Sequence, residues 1–392
     1  MRHIGTQAFG VRLPIVSQDD DLADIVADSL HEALRVHQIA LHSTDVVGIT
    51  EALVAKTQGN FAGLDQLAED VRQKFPKGDV GVVFPILSRN RFLNILKGIS
   101  RGADKVHLLL QCPSDEVGNP IMNPEDVDLL HDSGETLFSV DAFRNMIGGG
   151  YCHPFTGIDY ISLYQDVGDN IEIHLATDPR RILDLTKHVL VGEIHTRMLT
   201  KKRLQRAGAQ TVFTLSDILS GPVRGSGYNP QYGILGSNLS DSETLKLFPR
   251  DCDAVVRQVR ERIADKIGVA PEVLIYGDGA FKDPLAGIWE LADPVVSPAF
   301  TEGLQGRPKE IKLKLVADTL FRHMSRAEKT AAVTEMVRTK NQDKSQRCSS
   351  EGTTPRNYVD LLGSLCDLIS GSGDKGTPVV LIQGYFDDYS AE

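Results

Sequence analysis

The chain has 392 residues, of which 41% are hydrophobic and 24% are charged, a composition that is typical of a globular protein and excludes global disorder. This length predicts at least two domains, because a single hydrophobic core stops growing at about 250–300 residues. The formal charge of −11 would repel a phosphate backbone, so nucleic acid is not expected as a partner.

The first 60 residues predict a strand, a helix and a second strand. GVRLPIV at 10–16 is a β-branched run, and the acidic residues 19–21 offer an N-cap to the helix that follows. That helix has one apolar face, formed by Leu22, Ile25, Val26, Ala33 and Leu34. DVVGITEALVAK at 45–56 then predicts a buried strand that leads into a turn or short helix carrying Lys56.

Residues 61 to 214 alternate between apolar strands and amphipathic helices, which predicts an inserted α/β region. The clearest units are a strand in 78–87, a helix in 91–99 and a strand in 105–111. Near the end of this region, residues 181–208 predict a long amphipathic helix or a pair of helices.

The last part of the chain begins with turns at 221–251, where Gly, Pro, Asn and Ser are dense. A helix at 253–267 and a buried strand at 273–276 follow. The stretch 307–352 is charged, and its tail is expected to be a mobile loop. A helix at 356–370, a glycine-rich turn and a strand in 379–385 complete the chain.

These elements predict a mixed α/β fold in two domains. Residues 1–60 and 215–300 form a core, residues 61–214 are the inserted α/β region, and residues 301–392 are a C-terminal region that completes the site.

The five cysteines form no CxxC pair, which predicts neither a disulfide framework nor a zinc site and is typical of the reducing cytoplasm. The chain has no apolar run of about 20 residues and no N-terminal stretch typical of a signal peptide, so a cytoplasmic protein without a membrane partner is expected.

Three polar clusters are candidate sites. Gly277-Asp278-Gly279 follows a predicted strand and presents one carboxylate, or is a plain turn with a solvated Asp. Residues 238–243 (NLSDSE) are rich in oxygen ligands that suit Mg²⁺ or Mn²⁺, although Ser-Asp-Ser-Glu is also a helix-capping sequence. Residues 371–376 (GSGDKG) match GxGxxG in the order helix then strand, which excludes a dinucleotide fingerprint and leaves a phosphate cradle.

Two single residues also stand out. Lys56, just after an apolar strand, is either a solvated end charge or part of an anion site. His153 is expected to have a structural or substrate-contact role, because no second His lies at ligand spacing from it. The chain has no GxSxG elbow and no Cys-His signature, so a covalent hydrolase is unsupported.

Segments spread along the chain resemble, in order, the γ-glutamyl ligases that add glutamate to the coenzyme F-420 precursor. The segments are GVRLPIV, DVVGITEALVAKTQGN at 45–60, YGILGSNLSDSETLKLFPRDCDAVVRQVRERI at 232–263, SLCDLISGSGDKGTPVVLIQGY at 364–385 and, more weakly, VLIYGDGAFKDP at 273–284.

The resemblance implies a GTP-dependent reaction through an acyl phosphate, with Mg²⁺ or Mn²⁺ at the phosphates, L-glutamate as a substrate and a homodimeric enzyme. It implies catalytic roles for Lys56, Asp241 and Asp278, with Lys56 as the phosphate-binding lysine. The implied metal ligands are Asp241, Asp278 and Ser372. The implied nucleotide contacts are Arg12, Leu13, Pro14, Ile15, Glu51, Ala52, Lys56, Thr244, Gly371, Ser372, Gly373 and Asp374.

The chain departs from the family pattern at Thr244, where Asn is usual, and at Gly279, where a hydroxyl residue is usual. ATP in place of GTP therefore stays open. The acceptor is either the F-420 precursor or another anionic, folate- or pterin-like carboxylate, for which the inserted region offers five basic residues: Arg89, Arg91, Lys201, Lys202 and Arg203. Two other functions use the same residues: a metal-dependent phosphate hydrolase, and a catalytically lapsed protein that binds a nucleotide or pterin.

Overall fold

The computed structural model describes residues 4–116, 118–148, 152–153, 156–277, 281–282, 289–290, 294–307, 316, 318–340, 357–370 and 376–387. Its strands are β1 Gln7–Val11, β2 Val46–Thr50, β3 Phe61–Gly63, β4 Asp79–Val83, β5 Lys105–Gln111, β6 Phe138–Ser139, β7 Ile171–Ala176, β8 His188–Val191, β9 Thr211–Thr214, β10 Asn238–Asp241, β11 Thr244–Lys246, β12 Glu272–Tyr276, β13 Phe281–Lys282, β14 Trp289–Glu290, β15 Ala299–Phe300 and β16 Val379–Gln383. Its helices are α1 Leu22–His37, α2 Glu51–Thr57, α3 Leu64–Lys74, α4 Phe92–Gly102, α5 Pro124–Asp132, α6 Val140–Met146, α7 Tyr160–Gln165, α8 Arg197–Arg206, α9 Cys252–Ile267, α10 Arg326–Lys340 and α11 Tyr358–Ser370. The predicted α/β class is confirmed.

A first sheet joins strands from both ends of the chain in the order β1-β16-β2-β12-β15. Its centre is β2, which pairs parallel with β12 and antiparallel with β16. The sequence VVGIT makes β2 buried on both faces, as expected for a central strand between two helical layers. The carboxyl ends of β2 and β12 therefore lie at one edge of the first sheet.

Helices cover both faces of the first sheet. Side chains of α1 and α9 pack against one face, and side chains of α11 pack against the other. Helix α11 packs closely against the first sheet, because a Cβ on Gly48 of β2 would collide with Sγ of Cys366 in α11. Helix α1 begins where predicted: Oδ1 of Asp21 accepts a hydrogen bond (3.1 Å) from the backbone N–H of Asp24.

A second sheet is formed by β6-β7-β5-β4-β8-β9, all from residues 138–214 except β4 and β5 at 79–111. Its strands are parallel apart from β6. From β4 the chain adds β5 and then β7 on one side, and later β8 and β9 on the other. The order thus reverses between β4 and β8, and ligands of open α/β sheets bind at such a switch point, beyond the carboxyl ends of the strands.

Two segments differ from their predictions. Residues 181–208 contain the strand β8 between a 3-10 turn at Pro179–Asp184 and α8, because a buried run as short as HVLV does not distinguish strand from helix by periodicity. Residues 221–251, predicted as turns, contain the hairpin β10–β11, which pairs with β3 to make a third sheet. That partner lies far away in sequence, so local composition could not reveal it.

The strand predicted at 10–16 is found at Gln7–Val11, and residues 12–16 have no regular structure. The predictions for α9, α11, β5 and β12 are confirmed. The tail of the charged stretch, predicted as a mobile loop, lies largely outside the described residues after α10. Among the helices that the structure describes, none is both long and apolar enough to cross a membrane.

Candidate active site

A cavity opens at the carboxyl ends of β2 and β12; we call it the strand-end cavity. Its lining comes from the ends of β2, β12 and α11 and from the hairpin β10–β11: Thr50, Glu51, Ala52, Asn238, Lys246, Tyr276, Gly277, Asp367, Ser370 and Pro378. Its volume is about 160 Å³, below the roughly 300–1,000 Å³ of complete ligand sites. The described residues therefore enclose only part of a site for a larger ligand.

A buried ion pair forms one wall of the strand-end cavity. Nζ of Lys246 lies 2.6 Å from Oε1 of Glu51, and their side chains are 13% and 7% exposed. Lys246 stands between the buried residues Leu245 and Leu247, so the alternation of β11 turns its side chain away from the core and towards Glu51. A lysine and a carboxylate are thus held together at the edge of the cavity, where an anionic ligand would meet them.

Oxygen atoms dominate the rest of the cavity wall. Asp367, in the last turn of α11, is only 6% exposed. Oδ1 of Asn238 is buried and has no hydrogen-bond partner among the described residues. Burial of such an atom is costly unless a ligand supplies the partner. Carboxylate, amide and hydroxyl oxygens are the donors that Mg²⁺ and Mn²⁺ prefer, so this wall fits either cation.

Tyr276 anchors the floor of the cavity. Its hydroxyl donates a hydrogen bond (3.1 Å) to the backbone carbonyl of Pro378, just before β16. Burial raises the pKa of the Tyr276 hydroxyl well above its ordinary value, so the group remains a donor at neutral pH. The contact fixes the end of β12 against the start of β16.

The structure brings part of the predicted site together. Glu51 and Ala52 line the strand-end cavity. Asp278, Gly371, Ser372, Gly373 and Asp374 lie outside the described residues. In the sequence they directly follow Gly277 and Ser370, two residues of the cavity wall.

Other predicted residues do not line the strand-end cavity. Lys56 is exposed in the last turn of α2. Asp241 is exposed on the hairpin, where its Oδ1 accepts a hydrogen bond (2.9 Å) from the backbone N–H of Glu243. Thr244 is half-buried and pairs with Gly63 of β3.

The segment Arg12–Ile15, a predicted nucleotide contact, follows β1. Leu13 is half-buried, whereas Arg12, Pro14 and Ile15 are exposed. Arg12 lines a separate groove between β1 and α1. None of the four residues is part of the strand-end cavity wall.

The basic residues proposed for acceptor binding lie on the second sheet's side of the molecule. Arg89 and Arg91 follow β4, at the carboxyl edge of that sheet. On α8, Nζ of Lys201 pairs with Oδ2 of Asp217 (3.0 Å), whereas Lys202 and Arg203 are exposed.

The carboxyl edge of the second sheet differs in charge from the strand-end cavity. Both carboxylate oxygens of Glu116, which follows β5, are buried and have no hydrogen-bond partner among the described residues. Burial, together with the charges of Asp115 and Glu193, raises the pKa of Glu116 to about 8. Acidic groups thus surround Glu116, whereas the wall of the strand-end cavity contains the buried ammonium of Lys246, which makes that cavity the better candidate for phosphates.

Asn238 belongs to the candidate cluster 238–243, but sequence reasoning missed Lys246, Tyr276 and Asp367 of the cavity wall. The one available signal was a single lysine between two leucines in TLKLF, which placed Lys246 on the polar side of a strand. Tyr276 and Asp367 had no signal, because they meet the hairpin only when the sheet and α11 assemble.

Comparisons with known proteins give one clear result. No curated protein matches this chain. Residues 10–384 match the family described as F420-0:Gamma-glutamyl ligase, and the match spans nearly the whole chain, including the inserted α/β region. The resemblance seen in the sequence is therefore confirmed, and the chain belongs to the F420-0:gamma-glutamyl ligase family.

Proposed function

We propose that this chain uses GTP to join the amino group of L-glutamate to a carboxylate of the F-420 precursor, and that the phosphates bind in the strand-end cavity. Membership of the γ-glutamyl ligase family supports the ligase reaction. The observation that carries the choice of cavity is the buried pair of Lys246 and Glu51, which lines the same cavity as Asp367.

The proposed reaction has two steps. An oxygen of the acceptor carboxylate attacks the γ-phosphorus of GTP, the bond to GDP breaks, and an acyl phosphate forms. The amino nitrogen of glutamate then attacks the acyl carbon, inorganic phosphate leaves, and the nitrogen loses a proton to solvent. Negative charge accumulates on the phosphate oxygens in the first step, so fixed positive charge nearby lowers the barrier.

Lys246 supplies that fixed charge in our proposal. Its ammonium group is positioned by Glu51, which limits its motion and removes the need to reorganise during the reaction. Partial burial of the pair strengthens its interaction with a phosphate, because the local dielectric constant is lower than that of water. Lys56 remains proposed as a second phosphate contact, from the family resemblance.

The oxygen atoms of Asp367 and Asn238 would hold Mg²⁺ or Mn²⁺, together with Asp241, Asp278 and Ser372 as the resemblance implies. When bound, the cation would offset charge on the phosphates.

The direct test incubates the purified protein with GTP, L-glutamate, Mn²⁺ and the F-420 precursor, and follows the glutamylated product by mass spectrometry. Asp367→Asn should lower the rate at least about 100-fold, the usual cost of removing one electrostatic contact in an active site. Asp360→Asn, in the first turn of the same helix and outside the cavity wall, is the matched control. Absence of product with both GTP and ATP would exclude the ligase.

The same assay separates the other functions. Phosphate release without glutamate would indicate a hydrolase. Nucleotide binding without any turnover would indicate a lapsed binding protein. Product formed faster with ATP than with GTP would keep the ligase and correct the nucleotide.

The family resemblance also leads us to propose a homodimer. Strand β1 is the edge of the first sheet in the part of the chain that the structure describes. The segment after it exposes 93% of Ile15, an apolar side chain that a second subunit would cover. Light scattering gives the mass directly, and a monomer at all concentrations would exclude the dimer.

A further inference from the structure

Three residues on one face of the second sheet form a compact group, which we call the histidine cluster: His107, Glu172 and His174. His107 on β5 is in register with Glu172 on β7. Glu172 and His174 are two residues apart on one strand, so their side chains point to the same face. The cluster thus lies on two neighbouring strands inside the second sheet.

Both histidines are buried in an unusual state. His107 is 6% and His174 is 7% exposed. Nδ1 of His107 and Nε2 of His174 form no well-aligned hydrogen bond among the described residues, although each lies within ion-pair distance of an oxygen of Glu172. Buried polar atoms of this kind usually have a partner, and each exception requires an explanation.

The separations between the side chains fit a shared ion. Nε2 of His174 lies 3.3 Å from Oε1 of Glu172, and Nδ1 of His107 lies 3.6 Å from Oε2. One ligand atom from each of the three residues lies within 4.8 Å of the other two. Ligand atoms of a tetrahedral zinc ion with bonds of about 2.0–2.1 Å are roughly 3.3 Å apart, and the two separations between a histidine and Glu172 are near this value.

A fourth residue lies beside one imidazole. Oδ1 of Asp79, on β4, lies 3.2 Å from Nε2 of His107. A histidine that binds a metal through one ring nitrogen commonly has a carboxylate at the other nitrogen, which fixes the ring and its tautomer. Asp79 is in this second position, so Nδ1 of His107 is the nitrogen that offers its lone pair.

Lys105 also contacts the histidine cluster, through Glu172. Its Nζ lies 2.8 Å from Oε2 of Glu172, so Oε1, the oxygen near His174, is the one that remains for an ion. The Glu172 side chain is 49% exposed, which gives an ion and a water ligand access from solvent.

We propose that His107, Glu172 and His174 bind one divalent transition-metal ion of the zinc class, with water in the fourth position. Two imidazoles and one carboxylate favour such an ion over Mg²⁺ or Ca²⁺, which prefer oxygen ligands. The site ties β5 to β7 and is separate from the oxygen-rich wall of the strand-end cavity. It does not depend on the proposed ligase function.

The test titrates Zn²⁺ into tag-free, chelator-treated protein by calorimetry, with excess Mg²⁺ present to occupy oxygen-rich sites. One Zn²⁺ per chain is expected. His107→Gln and His174→Gln should each weaken binding at least about 100-fold, and Asp79→Asn about 10- to 100-fold. The matched control is His188→Gln, on β8 of the same sheet, whose Nδ1 lies 3.1 Å from Oγ1 of Thr211.

A measurement on the unaltered protein keeps the proposal open to refutation if a variant fails to fold. X-ray absorption of the zinc-loaded protein should show two imidazoles and oxygen, and no sulfur. Zinc on a cysteine sulfur, affinity unchanged in both histidine variants, or no binding by the unaltered protein would each overturn it.

Discussion

Two buried glutamates follow strands at the carboxyl edges of the two large sheets, and their surroundings differ in charge. Glu51 of the first sheet is 2.6 Å from the ammonium of Lys246. Glu116 of the second sheet is next to Asp115 and Glu193, and burial raises its pKa to about 8. Glu51 thus faces a group of opposite charge, whereas Glu116 faces groups of its own charge. The first edge therefore suits phosphates with their cation, whereas the second suits a neutral or cationic group.

Substitution of Lys246 is expected to have the largest effect on this difference in charge between the two sheet edges. Lys246→Met should lower the proposed ligase rate about 100- to 1,000-fold and the free energy of unfolding by about 3–5 kcal/mol, because it leaves a buried carboxylate without its counter-charge. Urea unfolding and product formation measure the two effects. Lys202→Met, on an exposed position of α8, is the control.

The double variant Glu51→Gln with Lys246→Met should recover most of the stability and none of the activity. Activity equal to that of Lys202→Met in either variant would contradict the role of the pair.

Glu116→Gln tests the other side of the contrast. Between its ordinary pKa of 4.5 and about 8, the folded protein holds a proton that the unfolded chain has released, so stability falls as pH rises through this window. The variant lacks this decline and should be more stable than the unaltered protein near pH 8, by on the order of a few kcal/mol.

Urea unfolding near pH 5 and near pH 8 measures this difference, with the exposed Glu135→Gln as control. Equal pH dependence in Glu116→Gln and in the unaltered protein would show that Glu116 is ionised when folded.

Gly48→Ala examines whether the first sheet needs its close helix contact. The added Cβ would collide with Sγ of Cys366, and overpacking of this kind costs about 1–3 kcal/mol. The control is Gly221→Ala, where a Cβ would meet no atom within 4 Å. Thermal unfolding compares the two, and a similar melting temperature in both variants would mean that α11 can shift.

The smallest effect is expected at the histidine cluster without metal. Burial lowers the pKa of both His107 and His174, so the unfolded chain takes up protons first as pH falls below about 6.5. The free energy of unfolding therefore decreases as pH falls from about 6.5 towards the lowered pKa values. For Glu116 it decreases as pH rises. Urea unfolding in the presence of a chelator, at several pH values, compares the unaltered protein with the double variant His107→Gln/His174→Gln. The same dependence of unfolding free energy on pH in both proteins would contradict this prediction.

Much of the fold could be predicted from sequence, because apolar runs and caps act locally. The strands in KVHLLLQ and VLIY and the helix α9 needed only their own residues. The strand β8 and the hairpin β10–β11 were missed, because a four-residue run has no distinguishing period and the hairpin is stabilised by the distant strand β3.

The site was predictable only where a motif stood next to a strand end, as for Glu51 and Ala52. Lys246 and Asn238 reach the strand-end cavity through the pairing of β11 with β3, a long-range contact that periodicity does not encode. The histidine cluster was not predicted from the sequence, because His107 meets Glu172 and His174 only through the pairing of β5 with β7. The pattern Glu-Ile-His at 172–174 already placed two ligands on one face of a strand.

The position of β16 between β1 and β2 constrains the order in which the chain can fold as it leaves the ribosome. The second sheet uses only residues up to Thr214, so its strands can pair while the rest is still being translated. The first sheet must wait for residues 379–383, because β1 and β2 are joined only through β16. Catalytic competence would then arise after the inserted region has folded.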